Sequence, residues 1–398
     1  MSPPINSPKS TGSPPLGTDN CIKTHAKPRL AILGSRGIPA EFGGFETFAE
    51  QIAVSLVKCG WDVTVFCEAS HSYRESEYKG VKLKFIKTPT ITGLRSIWFD
   101  LKGIMLTLRG YDLVYMLGYH TAFAFFLPRL LGTNFWVNMD GLEWKRSKWS
   151  SKVQCYLKTM EYLAARLASQ IVADAQGIAD YLDTAYPGTA RKTHVLEYGA
   201  FPVFDAPEAA YLGQYGLQPG EYYLIVCRLE PENHVLEIVQ GFILSGSSRR
   251  LVVVGDFETG TPYVRSLLEI ADDRVSFLGA VFDQGILTAL RFHCRTYFHG
   301  HSVGGTNPSL LESMACGNYV IAHDNVFNRE VTADLCNYFH DAPDLAQQIR
   351  QIDTQGPPGG AGDSLRARVV TYYNWDRVTN AYRQSFEHSL RTANQGHA

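Results

Sequence analysis

Short apolar segments alternate with longer amphipathic segments along most of this 398-residue sequence. The first apolar run, RLAILG at Arg29–Gly34, has the length and composition of a buried strand. Residues Gly43 to Gly60 then repeat apolar side chains at helical spacing, and DVTVFC at Asp62–Cys67 predicts the next strand. This order of strand, helix and strand predicts an α/β protein whose parallel sheets are covered by helices on both faces.

The alternation pauses once and then resumes. Residues 199–221 are rich in Gly, Pro and Ala, and strand-like runs lie on both sides of them. The further strands predicted before the pause are Val81–Ile86, Leu113–Leu117, Asn134–Met139, Gln170–Ala173 and His194–Glu197. Those predicted after it are Tyr222–Cys227, Leu251–Val254, Val275–Leu278, Tyr297–His299 and Tyr319–Ala322. The sequence therefore predicts two Rossmann-like, doubly wound domains facing a cleft, where ligands of such sheets bind beyond the C-terminal strand ends.

The same pattern gives an expected division of the chain. Residues 1–28 hold six prolines and four serines and no apolar segment typical of a signal peptide, so we expect a disordered leader. Residues 29–200 are the expected N-terminal domain, 201–221 the linker and 222–362 the C-terminal domain. The remainder, 363–398, contains an amphipathic stretch that we expect to pack back on the N-terminal domain as a helix, followed by a tail.

Composition narrows the possible partners and compartment. Thirty-seven basic residues against 39 acidic ones give a net charge of −2, which argues against nucleic acid as a partner. The eight cysteines show no CxxC spacing, so we predict neither a zinc site nor a disulfide framework, and a cytoplasmic location fits best. No apolar run approaches the ~20 residues that a membrane-spanning helix needs.

The stretch YFHGHSVGGTNPSLLESMACG, from Tyr297 to Gly317, carries the clearest signal of a binding site. A strand leads through a glycine-containing loop into a helix, for which Asn307 suits the N-cap, Pro308 the first position and Gly317 the C′ position. A helix N-terminus at the mouth of a cleft binds anions, and Glu312, one turn inside, could accept hydrogen bonds from ribose hydroxyls. An ordinary capped helix with Glu312 on a solvated face is the alternative.

Further polar residues follow predicted strands. Arg228 comes after Tyr222–Cys227, and its guanidinium can bind a diphosphate through two parallel hydrogen bonds, although an ion pair with Glu230 or Glu232 is equally compatible with the sequence. Glu68, at the end of the second predicted strand, resembles the ribose-binding acid of NAD-dependent dehydrogenases, so that function stays an alternative. The GxGxxG pattern of such enzymes is missing, which counts against it. Three polar residues, His120, Asp140 and Glu143, also follow predicted strands. Each could orient an acceptor hydroxyl or help to remove its proton, and a purely structural role is the alternative for each. The residues expected to form an acceptor-side or cleft loop are Gly43, Gly44, Phe45, Glu46 and Glu143.

The segment from Trp144 to Ala168 is basic and aromatic. Its apolar residues Val153, Tyr156, Leu157, Met160, Ala164 and Leu167 share one helical face. Against the single acid Glu161 it holds Lys145, Arg146, Lys148, Lys152, Lys158 and Arg166. Such a helix either shows its charge to anionic lipid head groups or is a core-packed helix with a solvated basic face.

Four blocks of the sequence carry a resemblance to a known family. They are ILGSRGIPAEFGGFETFAEQIA, DGLEWKRSKW, RLEPEN and HGHSVGGTNPSLLESMA. With them, residues 29–390 resemble a GT-B glycosyltransferase of the family 4 type, rhamnosyltransferase-like subgroup, with a DUF1972-type N-terminal half. The resemblance implies a retaining hexosyltransferase of cell-surface polysaccharide synthesis. The basic, aromatic segment described above adds the expectation of a peripheral location on the inner face of the plasma membrane. The resemblance further implies a nucleotide-sugar co-substrate, either dTDP-rhamnose or a UDP-sugar, in the C-terminal domain, a glycan or lipid-linked acceptor on the N-terminal side, and no metal requirement.

The family's functional residues map onto this chain with two departures. Arg228 matches the phosphate-binding arginine, and Glu312 matches the second glutamate of the E-x7-E pattern, which holds the ribose. The first glutamate falls on Gly304, and a lysine expected after the arginine falls on Asn233. The donor contacts implied for this chain therefore come from Arg228, Asn233, His301, Gly304, Gly305, Thr306, Asn307 and Glu312, with His299 and His301 as neutral or cationic substitutes.

The implied reaction breaks the bond between the anomeric carbon and the nucleoside diphosphate. Arg228 and the helix N-terminus would stabilise the charge on the leaving group. Attack on the same face, with a donor phosphate oxygen taking the proton, would leave His120 and Asp140 to position the acceptor. A nucleotide-sugar epimerase and a non-catalytic nucleotide-sugar-binding protein are the alternatives, the latter because of Gly304 and Asn233.

Overall fold

The structure is a computed structural model that describes residues 27–41, 43–91, 94–139, 141–255 and 261–395. Of the expected leader, residues 1–26 lie outside the described residues. Within the described ranges the chain forms two parallel α/β sheets covered by helices on both faces, which confirms the predicted fold class. None of the described helices combines the length and apolar character needed to cross a membrane.

The N-terminal half is built on a sheet of eight strands. These strands are β1 (Arg29–Leu33), β2 (Asp62–Glu68), β3 (Glu77–Tyr78), β4 (Val81–Ile86), β5 (Leu113–Leu117), β6 (Phe135–Asn138), β7 (Gln170–Ala173) and β8 (Thr193–Val195). Their order among the described residues is β3-β4-β2-β1-β5-β6-β7-β8, and only β3 and β4 pair antiparallel. All C-terminal strand ends except that of β3 therefore lie at one edge of the sheet.

Helices cover both faces of this sheet. They are α1 (Gly44–Lys58), α2 (Leu94–Thr107), α3 (Phe126–Leu130), α4 (Ser151–Leu167) and α5 (Gln176–Ala185), with 3-10 turns at Ala122–Phe125, Glu143–Lys145 and Ala190–Lys192. Leu30 and Ile32 of β1 pack in the core on the α1 side, whereas Ala31 and Leu33 pack on the side of α2, α4 and α5. Because successive side chains of a strand point to opposite faces, a strand buried on both sides is a continuous apolar run.

The C-terminal half repeats this architecture on a sheet of six strands. They are β9 (Tyr222–Val226), β10 (Arg250–Val254), β11 (Val275–Gly279), β12 (Thr296–His299), β13 (Val320–His323) and β14 (Asn337–Phe339), in the order β11-β10-β9-β12-β13-β14 within the described residues. The helices are α6 (Ala210–Gly213), α7 (Val235–Ser245), α8 (Pro262–Ile270), α9 (Gln284–Phe292), α10 (Pro308–Ala315), α11 (Val326–Thr332), α12 (Ala342–Gln355) and α13 (Ala361–Arg368). A 3-10 turn lies at Pro231–Asn233, and a π-helical turn at Val369–Tyr373 follows α13.

The last helix, α14 (Trp375–Gln395), crosses back to the N-terminal half. The ring of Phe386 lies 5.0 Å from that of Trp136 in β6, and the Tyr382 hydroxyl donates to the carbonyl of Leu196 at 3.0 Å. Within 201–221, α6 and the buried Leu212 and Leu217 pack against the C-terminal half, because their apolar side chains fill its core.

Candidate functional site

A cavity of about 1290 Å³ lies between the C-terminal edges of the two sheets. Every site residue predicted from the sequence lines it, apart from Asp140, which lies outside the described residues. From the N-terminal half these are Gly43, Gly44, Phe45, Glu46, His120 and Glu143. From the C-terminal half they are Arg228, Asn233, His301, Gly304, Gly305, Thr306, Asn307 and Glu312. The fold thus brings the two groups of predicted residues to one place.

Two helix N-termini meet in this cavity. The Asn307 side chain caps α10 by accepting the Ser309 N–H at 2.9 Å, and Gly317 follows its C-terminal end with a φ of +74°, as the sequence predicts. Gly43, the N-cap of α1, has no side chain with which to cap that helix. A methyl group on Gly44 would lie 3.4 Å from Cγ of Pro308, so the two helix starts are in near contact. Since each N-terminus carries partial positive charge, their meeting point attracts anions.

The glycine loop before α10 also joins the two halves. A methyl group on Gly305 would lie 1.9 Å from Oδ1 of Asp174, the residue after β7, so only glycine fits. The Thr306 hydroxyl donates to the Asp174 carbonyl at 2.5 Å, and a methyl group on Gly141 would lie 2.6 Å from Cα of Gly304. The small residues of this loop were expected to serve ligand binding, and the close approach of the N-terminal half is a second reason for them.

Arg228 belongs to a cluster of three cationic side chains around one carboxylate, and its own side chain is 58% exposed. It lies 3.7 Å from Glu230, which Arg146 and Lys148 also approach, at 3.4 and 3.5 Å. Burial alone would raise the pKa of the Glu230 carboxyl, but these three cations hold it below its ordinary value. Because Glu230 is shared among three cations, the long contact to Arg228 leaves that guanidinium able to bind an anion.

The basic segment from Trp144 differs from its prediction. Arg146 lines the cleft, and Arg146 and Lys148 both also approach Glu143, at 2.5 and 3.6 Å. The helix begins only at Ser151, and Tyr156, expected on its apolar face, is exposed. Tertiary ion pairs with acids of both halves, which helical periodicity cannot show, explain these differences. Glu143 is buried and also accepts the Trp149 indole N–H at 3.1 Å, so it anchors this segment.

Asn233 and His301 form a buried polar chain beside the glycine loop. The Asn233 amide nitrogen donates to the Arg228 carbonyl at 2.7 Å, so its oxygen faces Nδ1 of His301 at 2.8 Å. Nδ1 must then carry the proton, which leaves Nε2 as an acceptor that points toward Gly304. Burial, with the charges of Arg146 and Arg228, lowers the pKa of His301 well below its ordinary value, and burial lowers that of His299 to about 3. Of the neutral and cationic forms expected for these histidines, the environment favours the neutral one.

Glu312 has a partner that the sequence analysis missed. The side chain of Arg291, buried in α9, donates to the Glu312 carboxylate at 2.6 Å. About a third of the Glu312 side chain remains exposed to the cleft. The sequence did contain a signal for this pair. Arg291 shares a helical face with the apolar residues Leu287, Leu290 and Cys294, and an arginine buried on such a face needs a carboxylate partner.

The N-terminal side of the cleft holds another residue that was not predicted. Asp100 of α2 lines the cavity, is buried, and accepts a hydrogen bond from the Thr121 hydroxyl at 3.1 Å. Burial raises the pKa of this carboxyl to about 7.

Glu46 is buried and accepts the Glu41 N–H at 2.9 Å, and Glu68 pairs with Arg95. Glu46 thus holds the cleft loop, and Glu68 has a partner within the N-terminal half.

The chain resembles known proteins in part of its sequence and in its fold. Residues 27–201 match the family model described as a domain of unknown function, DUF1972. No curated protein matches the chain by sequence. Among solved structures, sucrose-phosphate synthase from Thermosynechococcus elongatus has 16% identity and a TM-score of 0.76, with 92% of this chain and all of that chain covered.

Two further structures show the same architecture. The HepE protein of Anabaena, solved in complex with UDP-glucose, has 18% identity and a TM-score of 0.72 over 92% of this chain and 100% of its own. The trehalose 6-phosphate synthase of Burkholderia multivorans has 12% identity and a TM-score of 0.69 over 94% of this chain and 99% of its own. These similarities, together with the two sheets described above, show that the protein has the GT-B fold of two Rossmann-like domains facing a cleft.

Proposed function

We propose that the protein is a glycosyltransferase that moves a sugar from a nucleoside diphosphate to an acceptor bound on the N-terminal side of the cleft. The observation that carries this proposal is the meeting of the α1 and α10 N-termini beside Arg228. Two helix ends and a guanidinium form a positive site that fits a diphosphate. HepE, which shares the fold, was solved with UDP-glucose, and this supports a nucleotide sugar as the ligand.

In the proposed reaction the bond between the anomeric carbon and the donor phosphate oxygen breaks, and the acceptor oxygen bonds to the same face of that carbon. The acceptor hydroxyl proton passes to a donor phosphate oxygen, and the nucleoside diphosphate leaves. Arg228 and the helix N-termini stabilise the charge that grows on this leaving group, so the proposal requires no metal. Glu312, oriented by Arg291, accepts hydrogen bonds from the ribose, and His120 and Asp140 position the acceptor.

The identity of the sugar and acceptor belongs to the same proposal. The resemblance of the four sequence blocks favours rhamnose as the sugar, retention of configuration, and a glycan or lipid-linked acceptor in cell-surface polysaccharide synthesis at the cytoplasmic face of the membrane. The neutral His301 supports a donor sugar that is bound through hydroxyl groups rather than through charge.

The Arg228→Ala variant tests the proposal most directly. Because the Arg228 side chain is largely exposed, its loss should leave folding intact while kcat/KM for transfer falls about 10²–10³-fold. The measurement is release of nucleoside diphosphate from a panel of nucleotide sugars, dTDP-rhamnose included, with and without a lipid-linked acceptor. Arg265→Ala, at an exposed arginine of α8, is the matched control and should retain full activity.

The same assay separates the alternatives. An epimerase converts the sugar without acceptor and releases no diphosphate, and a binding protein shows a donor-induced rise in melting temperature but no turnover. Either result, or near-normal transfer by Arg228→Ala, would overturn the assignment. Transfer should persist in EDTA; its loss would contradict the metal-independent mechanism.

A further inference from the structure

The outer surface of the N-terminal half exposes an unusual number of large apolar side chains. They lie on what we call the three-helix face, formed by α2, the turn Ala122–Phe125 with α3, and α4. Each of these residues is between 38% and 77% exposed to solvent. They are Leu94, Trp98, Met105, Leu106, Phe123, Phe126, Leu130, Leu131, Tyr156 and Tyr162. Single exposed apolar residues are normal in any protein, but a cluster on neighbouring helices marks an interaction surface.

Hydrogen bonds join these elements into one surface. The Thr121 hydroxyl, just before the turn, donates to Asp100 of α2 at 3.1 Å. The Tyr156 hydroxyl of α4 donates to the carbonyl of His120 at 2.7 Å. The inner sides of the same elements pack in one core, which includes Phe99, Phe125 and Met160. The exposed side chains are therefore held on a single, well-supported face.

The charge of this face has one sign. In α2, α3 and α4, all of whose residues the structure describes, the only carboxylates are Asp100 and Glu161, and both are buried. Within these helices and just after α2, the exposed basic residues are Lys102, Arg109, Arg129, Lys152 and Arg166. Exposed acids return at the neighbouring helix α5, with Asp180 and Asp183. Apolar, aromatic and basic side chains without exposed acids are the combination that binds the interface of an anionic bilayer.

The three-helix face is continuous with the acceptor side of the cleft. Ser96, Phe99 and Asp100 of α2, and His120 before the turn, line the cavity, while Trp98, Lys102 and Phe123 of the same elements are exposed. A second copy of the chain is a poor occupant, because it would bring two basic faces together. We propose that this face docks on an anionic lipid surface, with its apolar side chains in the head-group region. Docking in this orientation would present a lipid-linked acceptor to the cleft, and this part alone rests on the proposed function.

This proposal differs from the expectation for the segment beginning at Trp144. Arg146 lines the cleft and pairs with Glu143 and Glu230, and Lys148, although exposed, pairs with the same two acids, so neither charge is unpartnered. In the present proposal the lipid-facing charge comes instead from α2, α3 and the outer side of α4, which together form a larger surface than the one expected from the sequence.

Vesicle flotation of the full chain tests the docking surface. We expect binding to vesicles of phosphatidylcholine mixed with phosphatidylglycerol, weaker binding to phosphatidylcholine alone, and loss of the difference at high salt. The double variant Met105→Asp/Leu130→Asp should lower partitioning about tenfold or more, because it places charge at the two most exposed apolar positions of the face. Lys102→Glu/Lys152→Glu should lower binding to the anionic vesicles about tenfold and leave that to neutral ones unchanged.

Matched controls lie in the C-terminal half. Leu244→Asp changes a leucine that is 59% exposed, and Arg265→Glu changes an exposed arginine; neither should affect flotation. Absence of wild-type flotation, or equal effects of the face variants and the controls, would overturn the proposal. A dimer in solution that Met105→Asp/Leu130→Asp converts to monomer, without vesicle binding, would assign the face to a second copy instead. Because flotation needs neither donor nor acceptor, its outcome is independent of whether the protein transfers sugar.

Discussion

Single residues determine the chemistry of the side of the cleft that belongs to the C-terminal half, where we propose that the donor binds. At position 304 the related pattern has a glutamate and this chain has glycine, and at 233 asparagine replaces a lysine. The structure shows that Asn233 fixes His301 with Nε2 as a neutral acceptor beside Gly304. One charge of each sign is thus absent, and an uncharged acceptor lies near the place of the lost carboxylate.

His301→Asn should separate the two hydrogen-bonding roles of this side chain. The asparagine amide can still donate to Asn233, but no acceptor remains at the position of Nε2. We expect stability close to wild type and a fall in kcat/KM for the donor of about 10–100-fold, the cost of an unmet hydrogen bond to substrate. His301→Gln is the converse control, because it keeps an acceptor near Nε2 but loses the Asn233 contact. Its transfer kinetics should change less and its free energy of unfolding should fall; unchanged donor kinetics in His301→Asn would exclude the role.

How far the sequence could predict these residues depended on how local their signals are. Arg228 and Glu312 were identified from their places after a strand and inside a capped helix, which are local features. The protonation of His301 depends on Asn233, which lies 68 positions away in the sequence. The pairing of Glu312 with Arg291 likewise joins two helices, and only the tertiary structure shows it.

At the scale of elements, the start of α10 carries both a stabilising cap and the proposed diphosphate site. Asn307→Ala removes the side-chain oxygen that accepts the Ser309 N–H, which should lower the free energy of unfolding by about 1 kcal/mol and weaken nucleoside diphosphate binding. Asp341→Ala is the matched control, since Asp341 caps α12 through the Asp344 N–H at 2.9 Å. Both variants should lose similar stability in urea unfolding, but only Asn307→Ala should weaken ligand binding by calorimetry. Equal binding by the two would show that the helix start does not contact the diphosphate.

Elements were predictable where burial alone defines them. The strands Leu113–Leu117 and Gln170–Ala173 have the predicted limits, because strands covered on both faces are apolar runs. Val81–Ile86 also has the predicted limits, because its buried apolar side chains alternate with the exposed Lys82 and Lys84. The start of α4 at Ser151 was not predictable, since a 3-10 turn and ion pairs to the other half replace the helix before it.

At the scale of the whole molecule, close approach of the two halves depends on Gly305. Gly305→Ala should hold the cleft open, because a methyl group there would overlap the Asp174 carboxylate. We expect a larger radius of gyration by small-angle scattering and a fall in transfer of about tenfold or more, as the reacting groups are held apart. Gly359→Ala, where a methyl group meets nothing within 4 Å, is the control. Unchanged scattering and activity in Gly305→Ala would show that the halves need not come this close.

The return of α14 to the N-terminal half has a mechanical consequence. The chain passes between the halves near Ala200 and again near Tyr373, and the Ala200 N–H donates to the Tyr373 carbonyl at 2.7 Å. The two connecting segments, hydrogen-bonded side by side, form a double-stranded hinge. Such a hinge allows the halves to bend toward each other about one axis, but it resists their rotation about the line that joins them. We therefore expect opening and closing to follow a single path, along which the starts of α1 and α10 return to the same alignment at each closure.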